Sequence, residues 1–260
     1  MKDYLKSVGA VVYFMFAQII SCLGIVIYKI ASDNVWCEEV YNCISTEGIL
    51  SKEYFSLVAE ILFPTLVLAD ILVIIPFIVK AVRNKEHICR KIPVNNFVLL
   101  VCLGVALNAV ISIIVDKLPD IGHYDSLTNI ITSGSFGLIL LSSGILAPVI
   151  EELIFRYFII NLFKDKSIKK AILVSSFLFG LAHMNIIQSS YAFILGLVLG
   201  YIYVRTEFNL SASILVHLVI NSTSILYEYA GSNMRMYMII GVVICLFVLA
   251  GYIYKWIWSE

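Results

Sequence analysis

The stretch APVIEELIFRYFII, residues 147–160, decides how the chain reads. Its composition is that of a lipid-embedded helix, yet it carries Glu151, Glu152 and Arg156. Ionisable side chains are rare within membrane spans; where they occur they face the bundle interior or a water-filled cavity, and they mark function by default. The segment therefore predicts a helix enclosed by other helices, with a polar site against it.

The whole chain has the composition that such a helix needs around it. Of its 260 residues, 61% are hydrophobic and 14% are charged, and the mean hydropathy is +0.96. A soluble domain is about 45–50% apolar and about 25% charged. So much apolar surface requires lipid as its solvent. The expected fold is all-α: a polytopic membrane protein, one transmembrane domain over residues 1–260, built as a bundle of about eight spans around an intramembrane polar cavity. The spans fall roughly at 8–30, 57–80, 94–115, 134–162, 168–185, 188–204, 210–229 and 236–257. The first is longer than the apolar core of a signal peptide and is expected to be retained. A net charge of zero argues against a nucleic-acid footprint. The six cysteines form no CxxC pair. Cys37 and Cys43 share an acidic joint, where they are either disulfide-bonded or free. Gly196 and Gly200 make a GxxxG that admits a close helix neighbour, and Tyr201, Tyr203, Trp256 and Trp258 are expected in an interfacial belt.

Lysine and arginine set the orientation. One side carries Lys2, Lys6, Lys80, Arg83, Lys85, Arg90, Lys91, Lys164, Lys166, Lys169, Lys170, Arg205 and Lys255; the other has Lys29, Lys52, Lys117 and Arg235 among many acids, Glu47, Asp120 and Asp125 included. The positive-inside rule then places both termini in the cytoplasm, as expected of a multi-pass protein in a microbial plasma membrane.

Within the spans, ions and histidines gather in three segments: EELIFR, with Glu151, Glu152 and Arg156; FGLAH, ending at His183; and HLVIN, with His217 and Asn221. Glu60 and Asp70 stand apart in the second span. Glu152 and Arg156 are four apart and share a helix face, whereas Glu151 lies about 100° round. One carboxylate is then neutralised by Arg156 and one is left for other work, unless both glutamates simply pair with the arginine. Measured along the helices from the basic side, Glu151, His217 and Asn221 lie roughly 18, 10 and 16 Å deep and His183 roughly 22 Å. They meet near mid-membrane, in a cavity expected to open on the basic, cytoplasmic side. A desolvated carboxylate suits a general base, and a histidine beside an asparagine suits an oxyanion site. The same residues also suit zinc or another divalent metal held by Glu151, His183 and His217. There is no HExxH and no GxSxG.

EExxxR, FxxxH and HxxxN, in that order on successive spans, resemble the CAAX-protease and bacteriocin-processing family of intramembrane metalloproteases, the CPBP or Abi group. The resemblance covers roughly residues 134–225. It implies a catalytic core in which Glu151 activates water, His183 helps hold it, His217 and Asn221 form the oxyanion site, and Glu152 and Arg156 support them. The implied substrate is a membrane-bound or lipidated peptide or protein within the bilayer. Two other functions compete: a non-catalytic binding protein in bacteriocin self-immunity, and an ion- or proton-coupled transporter, which would more often show inverted repeats and broken helix pairs.

Overall fold

The structure is a computed structural model that describes every residue except Met1, Glu47, Leu50, Lys85–His87, 118–128, Ile131 and 258–260. Lys85, Glu47, Asp120, Asp125 and Trp258 therefore lie outside the described residues. In chain order the helices are α1 (Lys2–Ser32), α2 (Asn34–Thr46), α3 (Lys52–Asn84), α4 (Val94–Val115), α5 (Phe136–Phe163), α6 (Ile168–Ala182), α7 (Ile186–Arg205), α8 (Leu210–Tyr229) and α9 (Ser232–Ile257). Seven of them, all but α2 and α6, are long and apolar enough to cross a bilayer. The expected span at 168–185 is a helix of 15 residues. At 1.5 Å per residue it measures about 22 Å, short of the ~30 Å hydrocarbon core.

The acidic joint after α1 is helical rather than a loop. Within α2, Cys37 and Cys43 are six positions apart, a rise of about 9 Å that exceeds the span of a disulfide. Both are free thiols.

The sequence specifies the α6–α7 hairpin by its caps and its small residues. Ser167 caps α6, accepting from the Lys170 N–H at 3.4 Å, and Asn185 caps α7, accepting from Ile187 and Gln188 at 3.0 and 3.1 Å. Between them Met184 takes the left-handed conformation, φ 56°, so the chain reverses within three residues of His183. The two helices then lie very close. A Cβ on Gly180 would sit 2.8 Å from the Ser189 carbonyl oxygen, and one on Gly196 would sit 2.9 Å from Ser176 Cα. The GxxxG of α7 thus packs on α6. Tyr203 departs from the belt expected of it: it is buried, and its hydroxyl accepts from Asn161 Nδ2 at 3.2 Å. Tyr201 stays exposed.

Helix α5 is the central element. Ile150, Ile154, Phe155, Ile159 and Ile160 are all fully buried against α1, α3, α6 and α7. α9 lies at the periphery, with no buried residue in its apolar stretch. The bundle has two distinct ends. At the first, Lys166 pairs with Asp3, Lys164 lies over the Phe208 ring at 5.1 Å, and the Arg90 backbone exchanges two hydrogen bonds with Asn209 at 2.9 and 3.2 Å. At the opposite end Lys29 pairs with Glu60 at 3.0 Å, and the Tyr229 hydroxyl donates to Gly134 O at 2.8 Å. The basic residues therefore do collect at one end.

Gly196→Ala is expected to cost about 1–3 kcal/mol, because its Cβ would meet backbone. Gly251→Ala faces open space and is expected to be neutral or to stabilise by up to about 1 kcal/mol. Thermal unfolding in one detergent checks both, and equal effects would remove the close approach as the reason for the glycine.

Candidate active site

The site is built on an irregular α5. Residues Leu140–Leu146 and Glu152–Ile160 are wound wider than an α-helix, a deviation that concentrates at functional sites. In a wide turn some carbonyls leave the helical ladder, and here α8 uses them. Asn221 Nδ2 donates to Ser143 O at 3.0 Å, and Ser222 Oγ donates to Gly144 O at 3.2 Å. These bonds fix α8 against α5, bringing HxxxN beside EExxxR.

A buried relay runs behind the site. Ser175 of α6 donates to Phe155 O at 2.6 Å and accepts from Arg156 Nη1 at 3.2 Å. Arg156 Nε lies 3.1 Å from Glu152 Oε2, with both side chains wholly buried. The two are close as ions but not aligned as a hydrogen bond. Glu152 Oε1 accepts from His217 Nδ1 at 3.0 Å, and His217 Nε2 lies 3.4 Å from Glu151 Oε2. Donation from Nδ1 to Glu152 leaves Nε2 as the nitrogen that faces Glu151 and the cavity. The helix geometry expected Arg156 to neutralise one glutamate, and Glu152 is that one. It did not foresee that both glutamates would reach His217.

Phe179 explains the first position of FxxxH. Its ring packs edge-on against His183 at 4.9 Å and His217 at 5.7 Å, and the Arg156 guanidinium lies over it at 4.9 Å. One buried ring thus spaces both imidazoles and covers the arginine. His183 ends α6, and its Nδ1 is 2.8 Å from Phe179 O. A carbonyl can only accept, so Nδ1 carries the proton and Nε2 keeps its lone pair in the neutral ring.

Glu151, His183, His217 and Asn221 line one cavity of about 490 Å³, whereas Glu152 and Arg156 do not reach it. The Glu151 side chain is 14% exposed and that of Glu152 0%, so Glu151 is the carboxylate that meets the cavity. Two features correct the sequence-based expectation. The cavity does not run to the basic end: from the four residues it extends past Ser143 and Asn108 to Asp116 and Glu228, at the ends of α4 and α8 opposite the basic loops. Here α6 stops short of the far end, and among the described residues the cavity runs on beyond its turn. The second feature is Asp70 of α3, which lines the same cavity, is 3% exposed and has no hydrogen-bond partner for Oδ2. Its presence as an isolated ion in a span was the only signal of it in the sequence.

The metal alternative requires Glu151, His183 and His217 to converge on one point. Among the described residues no group of three or more His, Cys, Asp or Glu side chains is placed to hold a metal ion. His217 turns Nδ1 to Glu152 and Nε2 to Glu151.

Residues 133–223 match the family model described as Type II CAAX prenyl endopeptidase Rce1-like. This segment is Rce1-like. It runs from the residues before α5 into α8 and contains EExxxR, FxxxH and HxxxN in full. Searches of curated proteins and of solved structures gave no match. The Rce1-like match supports a CAAX-type intramembrane endopeptidase in general terms, and the apolar helices agree with an integral multi-pass membrane protein. Asp70 and the α4 wall of the cavity lie outside the matched segment.

Arg156→Met leaves Glu152 buried without its cation and is expected to cost about 3–5 kcal/mol. Glu151→Gln, at the cavity wall, is expected to stay within about 1 kcal/mol of the wild type. Thermal unfolding of the purified variants checks the contrast, and similar losses would deny the two glutamates their separate roles.

Proposed function

We propose that the protein is an intramembrane endopeptidase that hydrolyses a peptide bond of a membrane-associated or lipidated substrate through water activated by Glu151. The observation that carries this is the division of the motif residues. Four of them meet in one cavity, while the Glu152–Arg156 pair stands behind in the packing.

The chemistry follows from the donors and acceptors. The His183 Nε2 lone pair and the Glu151 carboxylate are acceptors on the same cavity wall. A water held by both has its two protons engaged and an oxygen lone pair free for attack. As that oxygen bonds to the scissile carbonyl carbon, Glu151 takes the water proton, in the manner of a general base. The developing oxyanion accepts from the second Asn221 Nδ2 hydrogen, the first being spent on Ser143 O, and from a proton on His217 Nε2. Collapse breaks the C–N bond, and the proton on Glu151 passes to the leaving amine. The products are a carboxylic acid and an amine, and Glu151 is restored. Glu152 acts through His217: it holds Nδ1, so that Nε2 faces the reaction.

The basic end of the bundle takes the cytoplasmic side under the positive-inside rule. α1 begins at that end and α9 runs toward it, so both termini are cytoplasmic. The membrane is the plasma membrane of a microbe.

With membrane-anchored peptides in liposomes, Glu151→Gln is expected to lower turnover by about a hundred- to ten-thousand-fold. Asn221→Ala is expected to lose about a hundred- to a thousand-fold. Mechanism through water and Glu151 alone predicts unchanged turnover on adding a chelator. Wild-type activity in Glu151→Gln would sink this mechanism, and loss of activity on chelation would require a metal in it.

A further inference from the structure

The charge of the cavity is as one-sided as its opening. Asp70 and Glu151 sit within it, Asp116 and Glu228 stand exposed at its rim, and no lysine or arginine among the described residues lines it. Asp70 and Glu151 repel each other when both are ionised. Of the rim acids, Asp116 caps α4 and Glu228 lies in the last turn of α8, and neither makes an ion pair among the described residues. A rim of acids alone would be an ordinary solvated surface. Asp70 is different: nine-tenths buried in an apolar helix, with one carboxylate oxygen facing no partner. Burying an unpaired carboxylate is expensive, and a cationic group arriving in the cavity would compensate it.

We propose that the cavity takes a cationic peptide segment presented from the acidic end of the bundle, with Asp116 and Glu228 drawing it in and Asp70 receiving an ammonium or guanidinium group beside Glu151. This rests on the endopeptidase reading and specifies its substrate. A chain presented by its own C-terminal carboxylate would meet an acidic lining, with Lys117 and Arg235, which stacks on Tyr227, outside that lining at the same end, a juxtaposition that carboxylate-lined clefts select against. The favoured substrate is therefore cut at an internal or N-terminal bond, next to lysine or arginine. The acidic end lies opposite the basic loops, so under the positive-inside rule the peptide arrives from outside the cytoplasm.

The test uses the full chain in nanodiscs of phosphatidylcholine, whose neutral headgroups add no charge preference. The probes are a fluorescent amphipathic peptide bearing lysines and its counterpart with glutamates in their place, both amidated at the C-terminus. Anisotropy reads binding, and mass spectrometry reads cleavage. The lysine peptide is expected to bind about tenfold more tightly, with the preference shrinking as salt rises. Asp116→Asn with Glu228→Gln is expected to reduce that preference by roughly three- to tenfold, because each exposed pair contributes little alone. Glu38→Gln with Glu39→Gln, on α2 and away from the cavity, is expected to leave it unchanged. Asp70→Asn is expected to weaken lysine-peptide binding with the rim intact. Equal binding of the two peptides, or a preference that survives the rim variants, overturns the inference. Cleavage of both peptides at one rate overturns it while leaving the endopeptidase reading in place. Selective binding of the lysine peptide without cleavage of either peptide does the reverse.

Discussion

Everything in this bundle is arranged around one buried carboxylate. Glu152 is wholly enclosed, where an isolated ion would cost several kcal/mol even after relaxation. The fold answers from two sides: Arg156 from the next turn of α5 and His217 from α8, each about 3 Å away. Arg156 in turn needs cover, which Ser175 and the face of Phe179 supply from α6. Three helices are thereby committed to one register. A slip of any one would leave a charge in hydrocarbon, which makes the pairing a determinant of where the helices sit. The functional geometry is inherited from it. Because His217 is held by Glu152, its other nitrogen faces Glu151, and because Phe179 covers Arg156, the next turn places His183 on the cavity.

The irregular winding of α5 belongs to the same solution. Adjacent glutamates on an ideal helix diverge by about 100°, and one histidine would have difficulty serving both. The wide turn that begins at Glu152 brings both within reach of a single imidazole. The earlier wide stretch releases the carbonyls of Ser143 and Gly144, which anchor Asn221 and Ser222. In a regular helix the Ala147 N–H would take Ser143 O, whereas Gly144 O would face Pro148, which has no N–H to give.

Much of this was legible in the sequence, and the part that was not has a common cause. Charges inside apolar runs singled out Glu151, Glu152, Arg156, His183, His217 and Asn221, because hydrocarbon makes every such placement costly. The i,i+4 rule paired Glu152 with Arg156. GxxxG announced a close helix contact, though not that α6 would be the partner. What stayed hidden depends on lengths and windings that composition does not encode. The wide turns leave no mark on hydrophobic periodicity. The end of α6 is set by a left-handed Met184 and by the Asn185 cap, within a run apolar enough to read as a full span. Tyr203 resembled a belt residue by type, but its depth follows from the partner that Asn161 provides. Asp70 was visible only as an unexplained ion, because its meaning comes from a cavity formed by other helices.

The short α6 is what turns a buried ion network into an accessible site. A helix of full length would carry the α6–α7 turn to the acidic end and fill the space that His183 now borders. Ending it about a turn and a half early leaves the cavity to run on toward Asp116 and Glu228, while described residues at the basic end pack together. There the Lys164–Phe208 contact and the Arg90–Asn209 bonds bind the loops together. Sidedness in the structure follows helix length and charge together: the basic residues collect at one end, and the cavity beyond the α6 turn runs toward the other. Lengthening the hairpin would preserve every motif residue and every ion pair behind them, and would still fill the part of the cavity that the proposed peptide would cross to reach Glu151.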